Sequence, residues 1–426
     1  MYDFDTLLNR RGTDCYKWDG LAKEYGDPEL MPFWVADMDF KCLPELDQAL
    51  RERTVGATYG YTFPGEDYFK SITSWYERRH GAAVSADEIV NAPGVLTGIH
   101  FALAALGKPG DSIIINTPVY PPFYKFEENG RYRVLQSPLI EKNGRYFLDF
   151  VDLDEKMRSG ARFYALCSPH NPSGRIWSRQ ELLELVALCR KHGVILLSDE
   201  IHGDLAMPGK THHPLLSLSE EARKISIIAS APSKTFNCAG LKSSFLIIAD
   251  EEMRQKVSRK IKSYHIDIDL FGLLATKVVF EKGDAWLDEL MRYLEANAKR
   301  MVEFVDARLP GVKASMPDAS YLLWLDCRGR DLSQEELVRR IKTKGRLALN
   351  DGTMFGPGGA TAICASTTAL RDYTWRKALR GWNELWEPRQ PREPDASTKS
   401  RTATVESFSR NHIPGYPRLY TRRCFP

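Results

Sequence analysis

The chain has 426 residues, 43% hydrophobic and 27% charged, which is enough for a large core and two domains in an ordinary soluble protein. Its net charge is +3, but eight Lys/Arg against four Asp/Glu fall in residues 387–426, so the body is near −1 and offers no electrostatic case for nucleic acid or an acidic membrane. The sequence lacks a membrane-length apolar run, a signal-peptide core, and CxxC or metal-ligand spacing among its eight cysteines; a cytoplasmic protein with reduced thiols and no metal is expected.

Residues 1–45 read as an arm ahead of the main domain. Within it, Trp34–Phe40 mixes aromatics with two aspartates, which suits a cleft lining or a packed linker alike. Tyr59-Gly60-Tyr61-Thr62 follows, then an expected helix over Glu66–Arg79. Pro93-Gly94 opens a second helix through Leu106, and the free N–H groups of Val95 and Leu96 at its start are phosphate-binding candidates. Ser112–Asn116 is an apolar strand leading to Tyr120, which by itself fits a core position or a ligand contact.

From Phe163 onward, short apolar runs alternate with helical patterns. Phe163–Leu166 leads into Asn171, Val194–Leu197 into Asp199 and His202, and Ile225–Ser230 into Ser233 and Lys234. Between the first two lies Ser178–His192, with Leu182, Leu183, Val186, Ala187 and Cys189 on one face. Such alternation predicts an α/β fold with a mostly parallel sheet covered on both faces. Further on, Trp286, Leu287, Leu290, Leu294, Ala298 and Met301 repeat at helical spacing and read as core. Residues 314–349 read as strand, strand, helix and strand. The expected organisation is a large domain over 46–282 and a small α+β domain over 283–386, followed by a tail from 387 whose composition reads as disordered.

Three strands therefore end, in chain order, in Asn, Asp and Lys, at the sheet edge where open α/β folds bind ligands. Singly, Asp199 could cap a helix and Lys234 could sit in a solvated loop. Together they supply what a pyridoxal phosphate (PLP) site needs. A lysine can condense with the aldehyde, a carboxylate can hold the pyridinium nitrogen, and a donor can hold the ring oxygen.

The sequence resembles the fold-type I PLP enzymes, and among them the MalY/PatB group of cystathionine β-lyase-like C–S lyases. The resemblance rests on NRRGT, KWDG, FWVADMDF (Phe33–Phe40), YGYT (Tyr59–Thr62), PGVL (Pro93–Leu96), TPVYPPFY (Thr117–Tyr124), PHNPSGR (Pro169–Arg175), SDEIHGDL (Ser198–Leu205), SAPSKTFNCAGL (Ser230–Leu241), SYLLWLDCR (Ser320–Arg328) and LNDGTMFGPGG (Leu349–Gly359). It implies a seven-stranded-type large domain, a homodimer, and a small amino-acid substrate. It also implies that Tyr61 reaches the cofactor phosphate of the neighbouring subunit and that Tyr120 stacks on the pyridine. Asn171 would hold the ring oxygen and Asp199 the ring nitrogen. Ser230, Ser233 and Lys242 stand beside Lys234 as phosphate candidates, although many relatives place arginine near Lys242. His202 replaces the tyrosine of many aminotransferases, as an acid–base group or a structural hydrogen-bond partner.

The pattern breaks after Gly359. The family continues toward an arginine that grips the substrate carboxylate, and Ala365 stands in its register here, with Thr367 at a following asparagine. A true substitution followed by a basic interaction tail is one reading, and a one-base shift is the other: triplets started at the third base of each preceding codon can read Tyr-Leu-Arg-Ile-Asn-Asn-Gly over Ala362 to Ala369. Over Thr374 to Asn383 the same shift can read Leu-Glu-Glu-Gly-Leu-Ala-Arg-Met-Glu. The resemblance implies a PLP-dependent β-lyase that releases a thiol, pyruvate and ammonia from L-cystathionine or another cysteine S-conjugate, impaired as written by the missing arginine. An aminotransferase and a PLP-binding regulatory protein acting through a protein partner are the alternatives.

Overall fold

The computed structural model describes residues 2–6, 8–359 and 362–366. The expected tail, and the stretch 367–386 before it, lie outside the described residues.

The central sheet has seven strands: β1 (Ile89–Ala92), β2 (Ser112–Thr117), β3 (Arg133–Pro138), β4 (Phe163–Cys167), β5 (Ile195–Asp199), β6 (Ser226–Ser230) and β7 (Ser244–Ile247). Their order is β1-β7-β6-β5-β4-β2-β3. Strands β2 to β6 pair in parallel, and β7 is antiparallel to both of its neighbours. Every residue of β2, β4, β5 and β6 is buried, because helices cover both faces; their sequences accordingly run apolar without alternation. The edge strand β3 is partly exposed and carries no comparable apolar signal.

The helices follow local rules. Helix α1 (Glu66–His80) and helix α2 (Val95–Leu106) start where the sequence predicts. Ser178 and Glu181 form a reciprocal capping box at the start of α3 (Arg179–His192), and Gly193 ends it at φ 67°, a left-handed turn that suits glycine. Two helices that the sequence reading does not single out, α4 (Glu251–Lys262) and α5 (Leu270–Lys282), precede the long α6 (Asp284–Arg308). On α6 the predicted stripe from Trp286 to Met301 is buried.

A second, antiparallel sheet joins β8 (Lys313–Ala314), β9 (Leu322–Asp326), β10 (Asn350–Asp351) and β11 (Ala362–Ser366) in the order β8-β9-β11-β10. Helix α7 (Gln334–Thr343) lies between β9 and β10 in the chain. The predicted last strand divides: Leu347–Ala348 pairs in parallel with Met31–Pro32 of the arm, and Asn350–Asp351 pairs with β11.

The arm is knitted by its own charges. The Asp39 carboxylate, buried, accepts hydrogen bonds from Lys17 Nζ at 2.7 Å, Trp18 Nε1 at 2.9 Å and an Arg10 N–H at 3.2 Å. Arg10 also grips both oxygens of Asp37, each at 2.9 Å. No described helix is long and apolar enough to cross a membrane.

Candidate active site

Sheet topology assembles the site. Strands β4, β5 and β6 are adjacent and parallel, with Cys167 opposite Asp199 and Asp199 opposite Ala229, so the residues that follow them emerge at one edge. Strand order reverses around β2, whose neighbours are β3 and β4, which places a crevice at this edge. A cavity of about 590 Å³ opens there, and Val95, Leu96, Tyr120, Asn171, Asp199, His202, Ser233, Lys234 and Lys242 all line it. Residues separated by more than a hundred positions thus meet on one surface.

Lys234 Nζ donates to the carbonyl oxygen of Ala36 at 2.9 Å. Burial lowers the pKa of this amine, while the charges of Asp37 and Asp199 act the other way. Asp199 is buried and accepts from Ile201 N at 3.1 Å. Burial pushes its carboxyl up to about 7, with the Glu200 charge adding to the shift and Lys234 and the Ile201 N–H opposing it. His202, also buried, is held to about 3 by burial and then by the Lys234 charge. Its ring sits edge-on to Tyr321, with centroids 6.0 Å apart. Burial and the nearby Asp199 charge raise the Tyr120 pKa.

Gly94, also in the lining, precedes α2 at φ 150°, and no side chain caps the helix. The turn is held because Gly94 N donates to Ser244 Oγ at 2.9 Å while Ser244 Oγ donates to Ala92 O at 2.7 Å. An uncapped helix start beside a lysine favours an anion by about 0.3–1 kcal/mol from the helix dipole alone.

These features fit PLP. The buried Asp199 carboxyl is suited to a cationic ring nitrogen. Asn171 Oδ1 and His202 Nδ1 are buried without a hydrogen-bond partner, and both residues line the cavity. Ser233, Lys242 and the N–H groups of Val95 and Leu96 suit a phosphate.

Two predicted residues stand apart. Ser230 does not line this cavity; as the last residue of β6 it lies in a separate small cleft with Trp75, Tyr76, His80, Glu200 and Asp204, since successive strand residues point to opposite faces. Tyr61 is fully exposed on its own subunit and lines no part of the cavity. The backbone of Ala365 lies opposite Leu323 in β11, and its side chain lies outside the described residues. The sequence reading misses Ala36, Tyr321, Ser243 and Ser244. By composition Trp34–Phe40 suits a cleft lining or a linker, and Trp34, Val35 and Ala36 line the cavity. Ser243 and Ser244 directly follow Lys242, and only the pairing of β7 shows that they turn inward.

A mostly parallel seven-stranded sheet carrying this constellation at its carboxyl edge defines a fold-type I α/β enzyme. The profile of the family described as aminotransferase class I and II matches residues 29–374. Cystathionine β-lyase PatB of Bacillus subtilis is 43% identical over 360 residues, covering 84% of this chain and 93% of that protein. Protein MalY of Escherichia coli is 29% identical over 363 residues, covering 84% and 92%. The crystal structure of cystalysin from Treponema denticola, which contains a pyridoxal 5'-phosphate cofactor, superposes with a TM-score of 0.87 at 31% identity, covering 90% of this chain and 98% of that one. The chain belongs to the class I and II aminotransferase family and, within it, to the MalY/PatB-type group.

Proposed function

We propose that this protein is a PLP-dependent carbon–sulfur β-lyase that converts L-cystathionine or another cysteine S-conjugate, with water, to a thiol, pyruvate and ammonia. The carrying observation is the meeting of Lys234, Asp199 and Asn171 in one cavity. Bound PLP supplies an aldehyde carbon for the amino group and a ring that accepts electrons. Lys234 would bear the cofactor and, as a free amine, would take the substrate α-proton at Nζ; burial, which lowers its pKa, favours the neutral base that this needs. Asp199 would hold the ring nitrogen protonated, Asn171 would hold the ring oxygen, and Tyr120 would pack on the ring. The N–H groups of Val95 and Leu96, with Ser233 and Lys242, hold the phosphate.

The active form is read as a homodimer in which Tyr61 completes the partner's phosphate site. Tyr61 is supported in that role by exposure shared with Val55 and Phe63 nearby, 85% and 82% accessible on the single chain. Residues 46–282 and 283–386 are read as large and small domains, the arm joining the second through its pairing with Leu347–Ala348. A cytoplasmic location agrees with the free state of Cys15, Cys42, Cys167, Cys189, Cys238 and Cys327.

The test is an assay of purified protein with L-cystathionine and no 2-oxo acid. Equal amounts of pyruvate and thiol are expected. Turnover that requires a 2-oxo acid and yields no thiol would instead assign an aminotransferase.

A further inference from the structure

We propose that Asp204 and Thr235 are positioning residues for Lys234, a clamp behind the cavity that sets the direction from which the amine enters it. The inference rests on Lys234 as the cofactor-bearing lysine.

Thr235 directly follows Lys234, is fully buried, and takes no part in lining the cavity. Its Oγ1 donates to Asp204 Oδ2 at 2.9 Å. The other oxygen of Asp204 accepts from Trp75 Nε1 at 2.9 Å and meets His80 Nε2 at 2.8 Å. Trp75 and His80 both belong to α1, and Trp75 is stacked on Phe280 of α5 with ring centroids 5.0 Å apart. Asp204 itself lies two residues beyond His202, in the loop that leaves Asp199. One carboxylate therefore ties the loop that follows Asp199 and the loop carrying Lys234 to the helix pair α1 and α5.

The charge on Asp204 is secured by its surroundings. Burial opposes ionisation, but the His80, Trp75 and Thr235 hydrogen bonds outweigh it and hold the carboxyl below its usual range. Asn237 fixes the same loop to the arm. Its Oδ1 accepts from Met38 N at 3.0 Å, and its Nδ2 donates to Met38 O at 3.0 Å and Phe40 O at 3.2 Å. Two anchors thus follow Lys234 within three residues, and the one formed by Asp204 and Thr235 takes no part in lining the cavity. Small angular errors in a reacting group lower rates steeply, so such an anchor has a catalytic consequence without contact with the reacting atoms.

The experiment compares the parent with Thr235→Val, Thr235→Ser and Asp204→Asn, in cofactor-loaded and cofactor-stripped forms. In the stripped protein, hydrogen exchange of the amides over 233–237 should speed up in Thr235→Val and Asp204→Asn while the central strands keep their protection. Thr235→Ser should restore the parent rate. In the loaded protein, Thr235→Val should keep the cofactor absorbance yet lose visible circular dichroism per bound cofactor. Its kcat should fall on the order of tenfold with little change in KM. Unchanged loop exchange, or protection lost evenly across the sheet, would overturn the clamp. So would failure of serine to rescue. If Asp204→Asn does not fold, the Val and Ser pair decides, since it differs from the parent by one small group. A parent that takes up no cofactor would overturn the proposed function, and the exchange arm would still decide the clamp.

Discussion

The amine of Lys234 and the carbonyl of Ala36 are joined by a 2.9 Å hydrogen bond across 198 positions of sequence. Tyr321 Oη donates to the same carbonyl at 3.3 Å. A single backbone oxygen in the arm therefore gathers the lysine loop after β6 and the start of β9, so the arm is a wall of the site and not only its wrapping.

Replacement of Lys234 by alanine should abolish borohydride-trapped labelling by PLP and the visible band of the bound cofactor. Peptide mapping of the reduced protein checks this. Label appearing at another lysine, such as Lys242 or Lys125 in the same cavity, would reject the assignment.

Asp199→Asn should retain the cofactor but lose turnover by on the order of a hundredfold or more, as for other preorganised electrostatic contacts. Steady-state kinetics of the loaded variant measure it. A rate near that of the parent would remove Asp199 from the mechanism.

The same substitution should change the pH dependence of stability without cofactor. Burial raises the folded pKa of Asp199 to about 7, above the unfolded value, so the folded state binds the proton more tightly. The protein then loses stability at this site as pH rises from the ordinary aspartate range toward 7, and the loss levels off above that. The amide of the Asp199→Asn variant does not titrate in this range. The Tm of Asp199→Asn relative to the parent should therefore rise between pH 4 and pH 8, measured on stripped protein by thermal unfolding. A difference that is flat with pH would show that Asp199 is not buried as an isolated acid.

Sedimentation of the purified protein should give the mass of two chains, and Tyr61→Phe should release cofactor faster on dilution than the parent. A monomer that binds PLP with parental affinity would exclude the shared phosphate site.

The reading frame after Gly359 is decided by the gene. Codons that spell the shifted motifs would restore an arginine in place of Ala365 and an asparagine in place of Thr367. The chain as written should then bind PLP but turn over poorly, and the frame-corrected protein should gain at least tenfold in kcat/KM, the value of about one charge-assisted pair. Codons incompatible with the shift would leave Ala365 as a true substitution and favour a role that does not depend on turnover.

The sequence alone determined the alternation of strands and helices from Phe163 to Ile248, because buried parallel strands must be apolar throughout and their ends must break into polar loops. It also determined which residue types close or follow β4, β5 and β6, and so exposed Asn171, Asp199 and Lys234 as a set. Helix limits at Ser178 and Gly193 were legible for the same local reason, since caps are written in neighbouring residues. Only the tertiary structure decided which neighbours those side chains meet. The Ala36 carbonyl carries no residue-specific signal, because every residue has one. Ser244 supports Gly94 through a pairing of strands 150 positions apart. Ser230 and Ser233, both hydroxyls before the same lysine, part to different faces because one ends a strand and the other lies in the turn beyond it. Such choices depend on register and on the face a backbone presents, and those are properties of the assembled sheet.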